Sequence, residues 1–308
     1  MGAENNYLTL EQLEFYEKNG YLVVEKFASQ DECKEMMQRM GELLGGFTPE
    51  NKSIFSTKKQ EVVNSSEHSL PFQLQTTDNF FRRSANNISF FFEEKAFDED
   101  GNLRQPKELS INKVGHALHD LDPVFRKFSR SDRITGLVAS LGYKKPLPIQ
   151  SMYIFKQPGI GGEVRPHQDS TFLYTYPYSC TGFWLALENA NVENGCLWAL
   201  PGSHSKGKLA KKFVIQSDGT SVMEGAEPTY DMSKLVPLEV KAGSLVLLHG
   251  LLVHQSFENT SPKSRHAYSV HVIEGDGTVY PEENWLQRDP GFPFEPLYSC
   301  ARVGRQAS

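Results

Sequence analysis

Between Leu147 and Ile273 the chain is a series of short apolar runs: Met152 to Phe155, Phe183 to Leu187, Cys196 to Leu200, Gly243 to Leu248, Leu251 to Phe257 and Ala267 to Ile273. Each is strand-sized and too short for a typical helix, and Gly, Pro, Asn and Ser punctuate the series. That pattern belongs to a sandwich, jelly roll or barrel. The expected fold is therefore mainly β, with a barrel core over about 147–275. Ser205 to Ser233 interrupts the series with Lys, Gly, Ser and Asp. Inserted loops of that size often carry function.

The flanks read differently. Thr9-x-x-Gln12 and Ser29-x-x-Glu32 are capping boxes, in which a hydroxyl and a side chain three residues later satisfy backbone N–H groups at a helix start. Gly20 can end the first helix, and Tyr21 to Val24 is a β-branched and aromatic run of strand length. Helical additions are thus expected over about 9–45. Phe47 to Ser69 is polar and lacks periodicity, which predicts a long loop. Ile88 to Phe92 reads as strand and Lys113 to Leu121 as helix, with His116 and His119 about one turn apart as structural residues. Residues 1–308 are expected to form one domain.

The formal net charge of -6 and pI near 5.9 speak against nucleic acid or an anionic membrane and favour a small-molecule partner. The four cysteines, Cys33, Cys180, Cys196 and Cys300, have neither zinc-site spacing nor the density of a disulfide scaffold. Leu245 to Val253, the most apolar stretch, is too short to span a bilayer. Residues 1–8 lack the pattern of a secretory signal, and Arg305 to Ser308 is not a peroxisomal Ser-Lys-Leu. A cytoplasmic monomer is expected.

The chemistry lies within the β region. His167-Gln168-Asp169 sets an imidazole and a carboxylate two residues apart, on the same face of an extended chain. Val253-His254-Gln255-Ser256 follows far downstream and is joined to Arg265 across the turn Asn259 to Pro262, which predicts a hairpin with His254 and Arg265 on neighbouring strands. Two histidines and one carboxylate leave three adjacent positions open on iron(II). A bidentate 2-oxo acid and dioxygen can fill them, and the planar guanidinium of Arg265 matches the distal carboxylate of 2-oxoglutarate. Ser256, on the same strand face as His254, can add a hydrogen bond. A zinc hydrolase built on the same three residues is the weaker alternative, because it gives Arg265 no role. His249 competes with His254 but lies an odd number of residues away, and His204, His266 and His271 read as structural.

At these residues the chain resembles the phytanoyl-CoA dioxygenase family. The resemblance covers nearly the whole sequence: Leu10-Glu11-Gln12 to Gly20-Tyr21-Leu22-Val23, Ser110 to His119, Gln150 to Pro158, the His167-Gln168-Asp169 triplet, Asn194-Gly195-Cys196-Leu197-Trp198 and Pro201-Gly202-Ser203-His204. It implies a double-stranded β-helix, a cupin-like jelly-roll barrel, with His167, Asp169 and His254 on iron(II). It also implies Lys113, Met152, Trp184, Ser256 and Arg265 around 2-oxoglutarate, although by spacing alone Met152 and Trp184 would pass as core and Lys113 as a solvated charge. The implied reaction spends dioxygen and 2-oxoglutarate, releases succinate and carbon dioxide, and hydroxylates a C–H bond of a small acid or acyl-CoA. Asp169 argues against halogenation, since halogenating relatives lack that carboxylate. Lys206, Lys208, Lys211 and Lys212 could meet an anionic substrate. A catalytically silent iron and 2-oxoglutarate sensor is the other reading of such a barrel.

Overall fold

The computed structural model describes residues 7–49, 53–54, 80–226 and 228–299. The expected loop from Phe47 to Ser69 lies almost wholly outside the described residues. Both capping boxes form as written in the sequence, with Thr9 and Ser29 capping helices Leu10–Asn19 and Gln30–Gly46. Gly20 ends the first helix at φ +80°, a backbone conformation that costs glycine little.

The strands are β1 (Tyr21–Val24), β2 (Ile88–Phe92), β3 (Ile111–His116), β4 (Pro146–Ile154), β5 (Val164–His167), β6 (Thr181–Ala186) and β7 (Leu197–Ala199), followed by β8 (Lys211–Ile215), β9 (Ser221–Gly225), β10 (Val236–Leu238), β11 (Leu245–His249), β12 (His254–Ser256) and β13 (Ala267–Glu274). Seven form one antiparallel sheet in the order β1-β11-β6-β13-β4-β3-β2, and four form a second in the order β10-β7-β12-β5. The two sheets make the jelly-roll barrel, a double-stranded β-helix.

The central strands β6 and β11 of the large sheet are buried on both faces, so they read as nearly continuous apolar runs. Phe183 and Leu185 of β6, Leu245 and Leu247 of β11, and Tyr268, Val270 and Val272 of β13 pack outward against helix residues such as Met36, Met40, Phe125 and Leu137. The alternate positions Trp184, Ala186, Val246, Leu248 and Ala267 turn inward and meet Leu197 and Ala199 of the small sheet. Further along β13 the inward residues become polar, Ser269 and His271.

Two expectations are corrected. Lys113 to Leu121 is not a helix: Ile111–His116 is β3, and only Leu118–Leu121 makes a helical turn. Phe92 pairs with Ile111 and Phe91 with Lys113, which leaves Asn112 as a bulge. Ile111 and Val114 therefore share the outer face three residues apart, a spacing that imitates helix. Ser205 to Ser233 is likewise no bare loop, because β8 and β9 pair across it as a hairpin.

Candidate metal centre and anion pocket

β5 and β12 are neighbours, and His254 stands directly opposite His167. Strand β5 ends at His167, and Asp169 opens a short 3-10 turn that swings its carboxylate back to the same spot. The Oδ1 atom of Asp169 is 3.6 Å from Nε2 of His167 and 3.6 Å from Nε2 of His254. One potential ligand atom from each of the three residues lies within 4.8 Å of the others.

Both imidazoles are oriented by their own strands. Nδ1–H of His167 donates to the Arg165 carbonyl at 2.8 Å, and Nδ1–H of His254 donates to the Leu252 carbonyl at 3.1 Å. A carbonyl can only accept, so in the neutral tautomer Nε2 of each ring carries the lone pair. Burial pulls the His254 pKa down to about 4, which keeps the ring neutral at pH 7. Burial opposes charge on Asp169, yet the imidazoles of His254 and His271 hold its pKa well below the usual carboxylate range. Two imidazole nitrogens and one carboxylate oxygen suit a divalent transition metal, and the two-histidine, one-carboxylate set with open positions suits iron(II).

Two further observations bear on that fit. Oδ2 of Asp169 is buried without a hydrogen bond among the described residues, although Nε2 of His271 lies 3.3 Å away. Gly182, beside it on β6, leaves room for that oxygen: an added Cβ would stand 2.9 Å from Oδ2. The cradle is thus shaped around the carboxylate and holds it in place for a metal.

The same cavity, about 220 Å³ in volume, runs from the triad to Arg265. Arg265 is not on a hairpin strand beside His254, as the turn suggested. It precedes β13 in the large sheet, while β12 belongs to the small one, so the two meet across the barrel. The guanidinium is buried, donates from Nε to the Gly195 carbonyl at 3.0 Å, and lies 5.2 Å from the Trp184 ring centre. Its Nη1 has no partner among the described residues. Burial pulls its pKa to about 10, so the charge persists at neutral pH. An unpaired, permanently charged fork in a cavity is an anion receptor.

Met152, Lys113 and Ser256 line the same cavity. Met152 and Trp184 flank Ser269 across β13. Lys113 is buried with Nζ 5.9 Å from the rings of Phe81 and Phe91, and burial lowers its pKa to about 7.

Other histidines separate as their partners dictate. His249 ends β11 against Tyr16 and His204, in a different sheet from His254, so it is off the site for a reason other than strand parity. Nε2 of His204 donates to the Glu17 carbonyl and His266 meets the Tyr153 hydroxyl, both structural roles. His116 and His119 bond Ser84 and Ser151. His271 is the exception, since it faces Asp169. Its carboxylate partner comes from the other sheet, so proximity in sequence could not reveal it; the inward alternation Ala267, Ser269, His271 could have. Lys156 was also missed: it is 2 % exposed, and its ammonium meets Ser256.

The family model for phytanoyl-CoA dioxygenase matches residues 16–267. A phytanoyl-CoA dioxygenase of Arabidopsis thaliana is 55% identical over 94% of this chain and 97% of its own. The mouse phytanoyl-CoA dioxygenase domain-containing protein 1 is 47% identical over 95% of this chain and 99% of its own. Among solved structures, the non-heme alpha-ketoglutarate-dependent carbocyclase SnoK of nogalamycin biosynthesis superposes with a TM-score of 0.60 at 20% identity, covering 94% of this chain and 95% of that one. EctD from S. alaskensis, solved with 2-oxoglutarate and 5-hydroxyectoine, gives 0.58 at 17%, covering 89% and 79%. At those identities the structures speak for the fold.

Proposed function

This chain belongs to the phytanoyl-CoA dioxygenase family and is a 2-oxoglutarate-dependent non-haem iron dioxygenase, and on that premise we propose that it hydroxylates a C–H bond of a small molecule. The observation that carries the reading is the joining, in one cavity, of the His167, Asp169 and His254 ligand set to the guanidinium of Arg265, whose Nη1 has no partner among the described residues. Bound iron with dioxygen and 2-oxoglutarate supplies the oxidant, leaving succinate and carbon dioxide. The residues of the chain do the rest. His167, Asp169 and His254 would hold the metal on one side and leave the other open. Arg265, with Ser256 and Lys113, would receive the carboxylates of 2-oxoglutarate, while Trp184 and Met152 wall the cavity and keep water from it.

Ala210, Lys211, Met223, Pro228 and Tyr230 bring the β8–β9 segment into the cavity wall. We take this segment as the cover and the main determinant of substrate choice. The plant relative is named for phytanoyl-CoA, and an acyl-CoA or related carboxylic acid is the substrate class favoured here, with Lys211 the lysine of the segment nearest to it. On this reading the protein acts as a cytoplasmic monomer.

The test is succinate formation from 2-oxoglutarate by purified, iron-loaded protein with no other substrate added. Uncoupled turnover is expected. Binding of iron and 2-oxoglutarate with no succinate under any condition would instead mark a silent sensor. Hydrogen exchange of residues 205–233, with and without 2-oxoglutarate and then a candidate acyl-CoA, tests the cover: slower exchange is expected, and unchanged exchange with a true substrate bound would remove it.

A further inference from the structure

Ser256 and Arg265 approach the cavity from opposite sheets, and between them lies a side chain that neither motif announces. Lys156 follows β4 and has φ +45°, the left-handed region that side chains rarely adopt. Two contacts hold its backbone there: Asn259 Nδ2 donates to the Lys156 carbonyl at 2.8 Å, and the Arg265 N–H reaches the same oxygen at 3.3 Å. The stem passes over Gly195, where an added Cβ would come within 2.7 Å of Lys156 Cε. Gly195 also gives its carbonyl to Arg265 Nε. Gly195 therefore makes room for the Lys156 stem and, through its carbonyl, holds Arg265 beside it.

At the end of the stem, Nζ donates to the Gly162 carbonyl at 2.5 Å and to Ser256 Oγ at 2.9 Å. In its ammonium form Lys156 has no lone pair, so Ser256 is the acceptor. The Ser256 hydroxyl keeps its own proton to give away, and no acceptor for it is found among the described residues. Charge points the same way. Lys113, Lys156 and Arg265 are all buried, and the buried carboxylate that acts on all three is Glu93, whose Oε2 accepts from the Gly162 N–H and whose Oε1 has no hydrogen-bond partner among the described residues. Three buried basic side chains thus share this region with two buried carboxylates, Glu93 and Asp169, and burial pulls the pKa of Lys113 and of Lys156 down to about 7, so a bound dianion would favour the charged form of both.

We propose that Lys156 is a positioning residue for the co-substrate: by donating to Ser256 Oγ it aims the Ser256 hydroxyl proton, together with the Arg265 fork, at the distal carboxylate of 2-oxoglutarate. The inference rests on the function proposed above and adds to it a residue that acts only on the carboxylate end of the ligand. Lys156 touches neither metal nor reacting atoms.

Calorimetric titration of full-length, iron(II)-loaded protein under nitrogen tests it with two ligands, 2-oxoglutarate and 2-oxovalerate. They have the same chain length, but 2-oxovalerate lacks the distal carboxylate. Lys156→Met is expected to weaken 2-oxoglutarate on the order of tenfold, a charge-assisted hydrogen bond's worth, and to leave 2-oxovalerate unchanged. Ser256→Ala is expected to do the same, and the double variant to lose no more than the worse single one, because the two act as one unit. Lys156→Gln gives the same comparison of ligands if the methionine variant does not fold. Equal losses for both ligands, additive losses, or no loss would overturn the proposal. If wild-type protein bound neither 2-oxo acid, the function itself would fall; if wild type binds 2-oxoglutarate and the variants match it, only the role of Lys156 falls.

Discussion

The two faces of the seven-stranded sheet are made by alternate residues of the same strands, yet they do opposite work. On β13, Tyr268, Val270 and Val272 face the helices, and every one is apolar or aromatic. Ala267, Ser269 and His271 face the barrel, and polarity rises toward the metal end. The outer face buries groups that gain by leaving water. The inner face carries Lys113 and, with the small sheet opposite, encloses Arg265 and Asp169, charged groups that must find partners once they leave water. Stability is thus stored outside and spent inside, so substitutions on the two faces should separate stability from function.

The sharpest separation is expected at Asp169. Asp169→Ala removes the anionic ligand and should reduce succinate formation below detection while the protein stays folded, its melting temperature lower only by what the lost contacts to the imidazoles of His254 and His271 contribute. Turnover retained in this variant would end the metal assignment. Phe183, 1 % exposed on the outer face of β6, is the counterpart. Phe183→Ala should cost ~3–5 kcal/mol in urea unfolding, while each molecule that remains folded turns over at the wild-type rate. A loss of catalysis per folded molecule would show that the two faces are coupled.

Arg265→Lys probes the inner face more finely. A point charge replaces a fork, so about 1–3 kcal/mol of carboxylate binding is at risk. The expected outcome is a raised KM for 2-oxoglutarate with iron affinity unchanged. An unaltered KM would make Arg265 a structural residue, held by Gly195 and stacked on Trp184.

How much of this was legible beforehand depended on how local each cause is. The capping boxes at Thr9 and Ser29 act over three residues and could be read directly. The two-residue spacing of His167 and Asp169 was legible for the same reason, and so was the strand series. The hairpin that seemed to join His254 to Arg265 was an inference from a turn, and the chain instead crosses from one sheet to the other there. His271 and Lys156 acquire their partners from the opposite sheet, at Asp169 and Ser256, and no local pattern encodes that. The β3 segment failed for another reason: a bulge at Asn112 places Ile111 and Val114 on one face at the spacing of a helix.

Gly182 offers the smallest effect and the cleanest separation of sign. Glycine inside a strand gives up backbone entropy and packs nothing, so replacement by alanine ordinarily gains about 0.5–1 kcal/mol of stability. Here the new Cβ would meet Asp169 Oδ2 at 2.9 Å and the His271 ring at 3.5 Å. The carboxylate is the movable end of a side chain, so it can rotate aside at little cost to the fold. Rotation, however, takes Oδ1 away from the two imidazoles. For Gly182→Ala we expect metal-free protein to melt at or above the wild-type temperature, and iron(II) affinity to fall about tenfold, the lower end of what loss of support around a metal ligand costs. Competition against a chelator measures the second quantity and a thermal melt the first. If alanine weakened both, Gly182 would belong to the packing of the sheet. If it weakened neither, the open space would have no part in holding the carboxylate.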